Sequence, residues 1–146
     1  MNKALLLTTI KEKLSGKVHN FEKLIAETRA SSNDTKSSMG DKYETGREML
    51  QQEINNLQIQ LNEILKQKAF LKTILPKPSS KAEKGAIVKT DKGLFFISVS
   101  LGEIKVENEK IICVSPESPL TKAMDGKQKD EVFSINNINQ KIENIW

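Results

Sequence analysis

The sequence predicts an α+β protein: a long N-terminal antiparallel helical hairpin of coiled-coil type, then a small, mostly antiparallel β domain with one short helix. Three observations predict it. Residues 43–75 carry a heptad apolar repeat, residues 2–30 carry a second stripe of similar length, and after two closely spaced prolines the apolar period falls to two.

The heptad is clearest in the second segment. Tyr43, Leu50, Leu57, Ile64 and Leu71 recur every seven residues, and Ile54, Leu61 and Leu75 fall four residues after three of them. Gln, Asn, Glu and Lys fill most other positions, which is the pattern of a coiled-coil seam. A helix of that length spans roughly 50 Å at 1.5 Å per residue. Its narrow apolar stripe cannot bury itself, so it needs a partner. Residues 2–30 supply one: Leu7, Leu14, Phe21 and Thr28 are seven apart, Ile10 and Leu24 take the intervening positions, Lys17 is the polar exception, and Val18 and Ile25 widen the stripe. Gly16 costs about 1 kcal/mol against alanine without breaking the helix. Ser31 to Gly40 is rich in Ser, Asn, Asp and Gly, which compete with the helix for backbone hydrogen bonds, and is expected to form the hairpin tip.

Leu75-Pro76-Lys77-Pro78-Ser79-Ser80-Lys81 is expected to end the second helix and open a linker over 76–84. The expected domains are thus 1–75, the linker 76–84, and 85–146. Strands are expected at Ala86–Thr90, Leu94–Ser100, Glu103–Val106, Lys110–Ser115, Glu131–Ile135 and Lys141–Trp146, punctuated by Asp91-Lys92-Gly93, Gly102, Asn108 and Asn136-Asn137. Pro119–Met124 reads as a short helix with Ser118 as N-cap, Pro119 at the first helical position and Gly126 as its closing glycine.

Composition narrows the classes. The 146 residues are 29% charged and 37% hydrophobic, a polar balance suited to an exposed coiled coil. No run approaches the ~20 apolar residues of a membrane span. Ala4–Leu7 is too short for a signal peptide, and Lys11, Glu12 and Lys13 interrupt it. A single Cys113 excludes an intramolecular disulfide or a zinc cluster of cysteines, so a cytoplasmic location and no membrane partner are expected. Residues 1–75 hold 12 Lys/Arg against 9 Asp/Glu, and residues 76–146 hold 11 against 10. The signs interleave, so the net charge of +4 makes no phosphate-tracking patch.

The residues carrying most information are Ser115-Pro116-Glu117-Ser118-Pro119-Leu120-Thr121-Lys122-Ala123-Met124-Asp125-Gly126-Lys127, followed by Asp130-Glu131-Val132. This segment resembles Ser-Pro-(small)-(Arg/Lys)-Ala-Leu-x-Gly-Lys-x-x-Gly-Asp-x-Val in the FKBP-like C-terminal domain of the Gre transcript-elongation factor family. Lys141-Ile142-Glu143-Asn144-Ile145 is similar to that family's closing strand. Asp41-Lys42-Tyr43-Glu44-Thr45-Gly46-Arg47-Glu48 is similar to the start of its second hairpin helix. The resemblance implies an FKBP-like β domain, RNA polymerase as partner, and a hairpin that enters the polymerase secondary channel with only indirect contact to RNA and DNA. It implies a monomer with no cofactor of its own. In the family, acidic residues at the hairpin tip help the polymerase hold a catalytic Mg²⁺ that hydrolyses backtracked RNA, a task that needs one or two extra carboxylates at the right depth. The protein itself is then not an enzyme; at most it assists the polymerase's metal centre.

At the tip this sequence departs from the family motif Gly-Asp-x-x-Glu-Asn-x-Glu-Tyr. Counting back from Tyr43 without a gap puts Lys36 and Met39 at the acidic positions; allowing two inserted residues brings in Asp34 but leaves Ser37 at the Glu. The candidate tip carboxylates are Asp34, Asp41 and Glu44. Asp34 reads equally as a turn residue bonding its own backbone, and Asp41 and Glu44 as charges at a helix N-terminus. Glu117, Ser118, Pro119 and Leu120 are the candidate polymerase-binding residues, because the family's acid-Ser-Pro triplet faces the coiled coil at the channel rim. Cys113 reads as a buried small residue, His19 as helix surface, and Trp146 as edge-strand packing.

Three rival readings remain at this level. A channel-occupying inhibitor without cleavage activity suits the altered tip. A prolyl isomerase or chaperone needs an open aromatic pocket, for which only Phe95, Phe96, Phe133 and Trp146 are at hand. A structural coiled-coil adaptor, in its dimeric form, would have no affinity for polymerase and a mass in solution near twice the chain's.

Overall fold

The structure is a computed structural model that describes residues 1–36 and 44–146, with side chains over 1–31 and 46–146. Two helices, α1 (Lys3–Lys36) and α2 (Glu44–Leu71), precede β1 (Ile87–Thr90), β2 (Gly93–Ile97), β3 (Gly102–Val106), β4 (Glu109–Val114), α3 (Pro119–Met124), β5 (Val132–Ile135) and β6 (Ile138–Ile145). The chain divides into two compact units, one of Glu12–Lys68 and one of Met1–Lys11 together with Ala69–Trp146.

In the helical unit, Ile25, Ile54 and Leu61 form a buried cluster against which Val18, Phe21 and Leu57 pack. Lys36 and Glu44 are eight peptide steps apart, a reach of at most ~29 Å, whereas the 28 residues of α2 extend about 42 Å. Side-by-side packing along their length is therefore antiparallel, and the expected hairpin is present. On α2 the expected seam holds from Leu50 through Ile54, Leu57, Leu61 and Ile64 to Leu71.

On α1 the phase of the stripe differs from the expected one. The residues drawn inward are Leu6, Ile10, Leu14, Val18, Phe21, Ile25 and Thr28, while Lys17 and Leu24 point out and Leu24 is 45% exposed. The steps from Ile10 to Thr28 are 4, 4, 3, 4 and 3, which average 3.6. The helix keeps its natural period instead of the strict heptad, and the drift carries the charged Lys17 into solvent and Val18 into its place.

The start of the expected tip is also helical, since α1 continues to Lys36. Thr28 donates its hydroxyl to the Leu24 carbonyl at 2.7 Å, and Ser31 donates to the Glu27 carbonyl at 3.2 Å. Hydroxyls that could have favoured a turn are satisfied by the preceding helical turn instead. At the far end, α2 stops at Leu71, four residues before Leu75. Thr73 and Ile74 bond back only three residues, to Phe70 and Leu71, which tightens the last turn out of α-helical register. Ile74 is then buried and Leu75 is 57% exposed, reversing the expected assignment of the seam.

The second unit is built on a six-stranded sheet of order β3-β4-β2-β1-β6-β5, antiparallel except for the β2–β4 pair. The expected turn residues Asn136 and Asn137 take left-handed backbone (φ 52° and 63°), joining β5 to β6 in a two-residue turn whose twist suits a hairpin. Glu107 and Asn108 (φ 51° and 66°) do the same between β3 and β4. Strand β6 is longer than expected: Ile138–Lys141 pair with β5 and Ile142–Ile145 with β1. One face of the sheet packs Val88, Ile97, Phe133 and Ile142 with Met124 of α3 and with Ala82 and Ala86.

Residues 76–84 are knitted into this unit. Ala82 is fully buried, its N–H donates to the Lys127 carbonyl, and its carbonyl accepts from Gly126, both at 2.8 Å. A β-carbon at Gly85 (φ +88°) would lie 3.1 Å from Ile74 Cγ2, so glycine serves both the backbone and the close approach. The first turn of α1 is fastened by Lys3, 6% exposed, whose ammonium donates to the Lys77 carbonyl and, at 3.3 Å, to Ser79 Oγ. Burial pushes the Lys3 pKa below its ordinary 10.5, with Glu83 pulling the other way.

Two outcomes follow. A β-carbon at Gly16 meets nothing within 4 Å, so Gly16→Ala should stabilise the chain by about 0.5–1 kcal/mol, read as a higher denaturant midpoint at unchanged slope. For Lys3 the folded pKa lies below the unfolded one, so the unfolded chain binds this proton more tightly. Its contribution to stability therefore rises with pH through the alkaline range just below 10.5. Against Lys3→Met, the wild type should gain relative stability across that range and hold a constant difference below it, measured by urea unfolding at successive pH values.

Candidate functional site

The segment from Ser115 to Lys127 forms the most tightly specified surface of the β unit. Pro119 takes the first helical position of α3, where its missing N–H costs nothing. Ser118 caps it: with extended backbone (φ −66°, ψ 149°), its Oγ accepts from the Thr121 N–H at 3.2 Å. The same hydroxyl donates to Thr121 Oγ1 at 2.8 Å, and Thr121 passes its own proton to the Ser115 carbonyl at 2.8 Å. Thr121 is 3% exposed, so this relay ties the cap to the end of β4 without water. Met124 anchors the other end in the core, and Gly126 (φ +73°) turns the chain toward Ala82.

The four residues assigned by motif thus divide. Glu117 and Pro119 are exposed, Ser118 is half-buried with its hydroxyl engaged in the cap, and Leu120 is half-buried and packs against the core cluster. What the fold displays outward is a carboxylate and a pyrrolidine ring on a rigid turn, with Lys122 also exposed. Such a surface can bind and orient a partner. It brings together no nucleophile and base.

Of the tip carboxylates, Asp34 lies within α1 and Glu44 opens α2, but their side chains, like the whole of Asp41, lie outside the described residues. Among the described residues no three His, Cys, Asp or Glu side chains gather closely enough to hold a metal ion, and no helix is long and apolar enough to cross a membrane. Phe95, Phe96 and Phe133 are 6%, 0% and 3% exposed, so the sheet spends its phenylalanines on its core. Cys113 is buried, as its apolar run suggests, and His19 is exposed.

Sequence reasoning missed two features of the β unit. One is buried Lys3, which has no local signal because its partners lie 74 and 76 residues away. The other is a cavity of about 640 Å³ walled by Leu5, Leu6, Leu94, Ile111 and Trp146, with Lys89, Lys110, Glu107 and Glu109 at its edge. Its charges balance, and Lys89 and Lys110 already sit near Glu143 and Glu103.

No family model matches the chain, and no curated protein matches it. Among solved structures it is similar to GreA factor homolog 1 (Gfh1) of Thermus thermophilus, at 16% identity over 93% of this chain and 94% of that one, with a TM-score of 0.39. A second structure of the transcription factor Gfh1 shares 14% identity over 92% of both chains, with a TM-score of 0.38. Gfh1 of Thermus aquaticus shares 17% identity over 92% of both, with a TM-score of 0.35.

The cap relay separates structural from displayed residues in one experiment. Ser118→Ala should cost about 1 kcal/mol or more, since it removes the cap and one partner of buried Thr121. Glu117→Ala should stay within about 0.5 kcal/mol of wild type, as exposed substitutions do. Thermal or urea unfolding of both variants checks the pair.

Proposed function

We propose that the protein is a transcription elongation regulator that binds bacterial RNA polymerase and inserts its helical hairpin into the secondary channel. The observation that carries this reading is the Ser115–Lys127 segment. Its sequence resembles the Gre docking segment, and it folds as a rigid N-capped turn with Glu117 and Pro119 outward, on a β unit that follows a helical hairpin. In this reading Glu117 and Pro119 make the docking contacts, while the core beneath them fixes their geometry. The hairpin supplies reach: 28 residues of α2 extend about 42 Å.

The chemistry at the tip is a separate matter from docking. A carboxylate delivered beside the polymerase's own Mg²⁺ would help hold a second ion and orient the attacking water. Only Asp34, Asp41 and Glu44 are at hand for that, and neither register of the tip restores the acidic pair. This specific departure favours a second reading, a channel occupant that competes with cleavage factors without promoting cleavage.

A reconstituted, backtracked elongation complex from the same source, with Mg²⁺ present, tests both. Wild-type protein should bind the polymerase, and Glu117→Lys should weaken binding roughly tenfold by placing the wrong charge in a docked surface. Faster 3′ RNA cleavage, abolished by Asp34→Ala or by Asp41→Ala/Glu44→Ala, identifies a cleavage factor with an altered tip. Binding without cleavage that blocks an authentic cleavage factor identifies a channel occupant. Absence of any binding overturns the polymerase reading and leaves the coiled-coil adaptor.

A further inference from the structure

On the hairpin unit, the flanks of α1 and α2 beside the seam leave a groove that neither helix fills. It has a volume of about 500 Å³ and is lined by Phe21 and Leu24 of α1 and Ile59 and Ile64 of α2. Leu24 is 45% exposed and Ile59 is 61% exposed. Single exposed apolar side chains are ordinary on a protein surface, but two facing each other across one groove, with Phe21 and Ile64 beneath, form a patch.

The groove also carries Lys17 on the α1 wall and Glu63 on the α2 wall. Lys17 makes no ion pair among the described residues, and Glu63 has only the exposed Lys66, 3.2 Å away on its own helix, a contact of little worth. A rim with one charge of each sign does not select a ligand of single charge. It is instead complementary to itself.

We propose that this groove is a self-association surface, its occupant the same groove of a second copy in a parallel, two-fold pair of hairpins. With the two-fold axis along the hairpin, α1 of each copy lies over α2 of the other. Lys17 then faces Glu63 of the partner subunit, and Glu63 faces Lys17 of the partner subunit, so the ion pair forms twice. Leu24 and Ile59 from both copies meet between them and leave water, giving a four-helix arrangement of a common kind. The contact is short, which places it among weak, concentration-dependent interfaces. It coexists with a monomer at low concentration and does not depend on the polymerase reading.

Sedimentation equilibrium of the full chain, from about 10 µM to about 1 mM, tests it over the range where weak interfaces associate. The mass should rise from the 16.4 kDa of one chain toward twice that value. Ile59→Glu should weaken association roughly tenfold or more by setting a charge in the shared apolar strip. Lys17→Glu and Glu63→Lys should each weaken it, and the double variant Lys17→Glu/Glu63→Lys should restore it. That rescue separates a real pairing from damage to the fold, which far-UV circular dichroism of each variant also checks. A wild-type chain that stays at 16.4 kDa throughout overturns the proposal. So does association that Ile59→Glu leaves unchanged, or a double variant no better than the single ones.

Discussion

Strand β1 opens with apolar side chains on both faces, and much of the β unit follows from that. Ile87 and Val88 are adjacent, point to opposite faces, and are both fully buried. A sheet whose central strand must be dry on two faces needs two covers. On the Val88 face the cover is α3, through Met124, Leu120 and Ala123. On the Ile87 face its partner Phe96 is fully buried as well. The same compact unit contains buried Leu6 and Ile10 from the first turns of α1, Leu71 at the end of α2 and Ile74 just beyond it. Buried residues from both ends of the helical sequence therefore belong to the same compact unit as the sheet. The buried ammonium of Lys3 fastens the first turn of α1 to the backbone at Lys77 within that unit.

This explains which parts of the fold were legible in sequence. Local patterns were sufficient where each residue's environment is set by near neighbours. The α2 seam, the strand alternation, the Asn136-Asn137 turn and the limits of α3 all fall in that class, and all are found close to where the patterns put them. The misplacements arise where a choice depends on something distant or on a near-tie. A heptad and a 3.6 period stay together for two turns and then separate, so Lys17 and Val18 could not be ranked by spacing alone. Only their polarity distinguishes them, and polarity decides. Ser31 offered a turn, but the Glu27 carbonyl was within reach of its hydroxyl and the helix continued. Pro76 marked a helix end, yet the helix stops five residues earlier because Ile74 is claimed by the β unit, where it abuts Gly85.

The candidate docking segment was legible for a different reason. Its signals are stereochemical: a serine that caps, a proline that fits only the first turn, a glycine that closes. Such residues state their own backbone geometry, so the helix was placed to the residue. The roles within it were less legible. Glu117, Ser118, Pro119 and Leu120 appear as one motif in sequence, but the fold assigns Ser118 to the cap and Leu120 to the core, and presents Glu117 and Pro119 outward. A linear motif does not distinguish the residues that build a surface from those that form it. Burial does.

That distinction bears on how a protein of this build can act. The phenylalanines of β2 and β5 are consumed by the core, the buried Lys3 fastens a helix, and the cavity edge carries balanced charge. What the described residues offer a partner is surface: the exposed Glu117 and Pro119 at the start of α3, and the walls of the hairpin groove. Surfaces of this kind work by position, and position requires stiffness behind them. The relay from Ser118 through Thr121 to Ser115, the Ala82 bridge to Gly126 and Lys127, and the 3.6-period seam each supply that stiffness at one of these places. Because the seam follows the natural helical period, it stays on one face of α1 and drifts only against the heptad, leaving Leu24 outward and taking Ile25 inward. The same drift that completes the hairpin's own core thus leaves the groove that a second copy would fill.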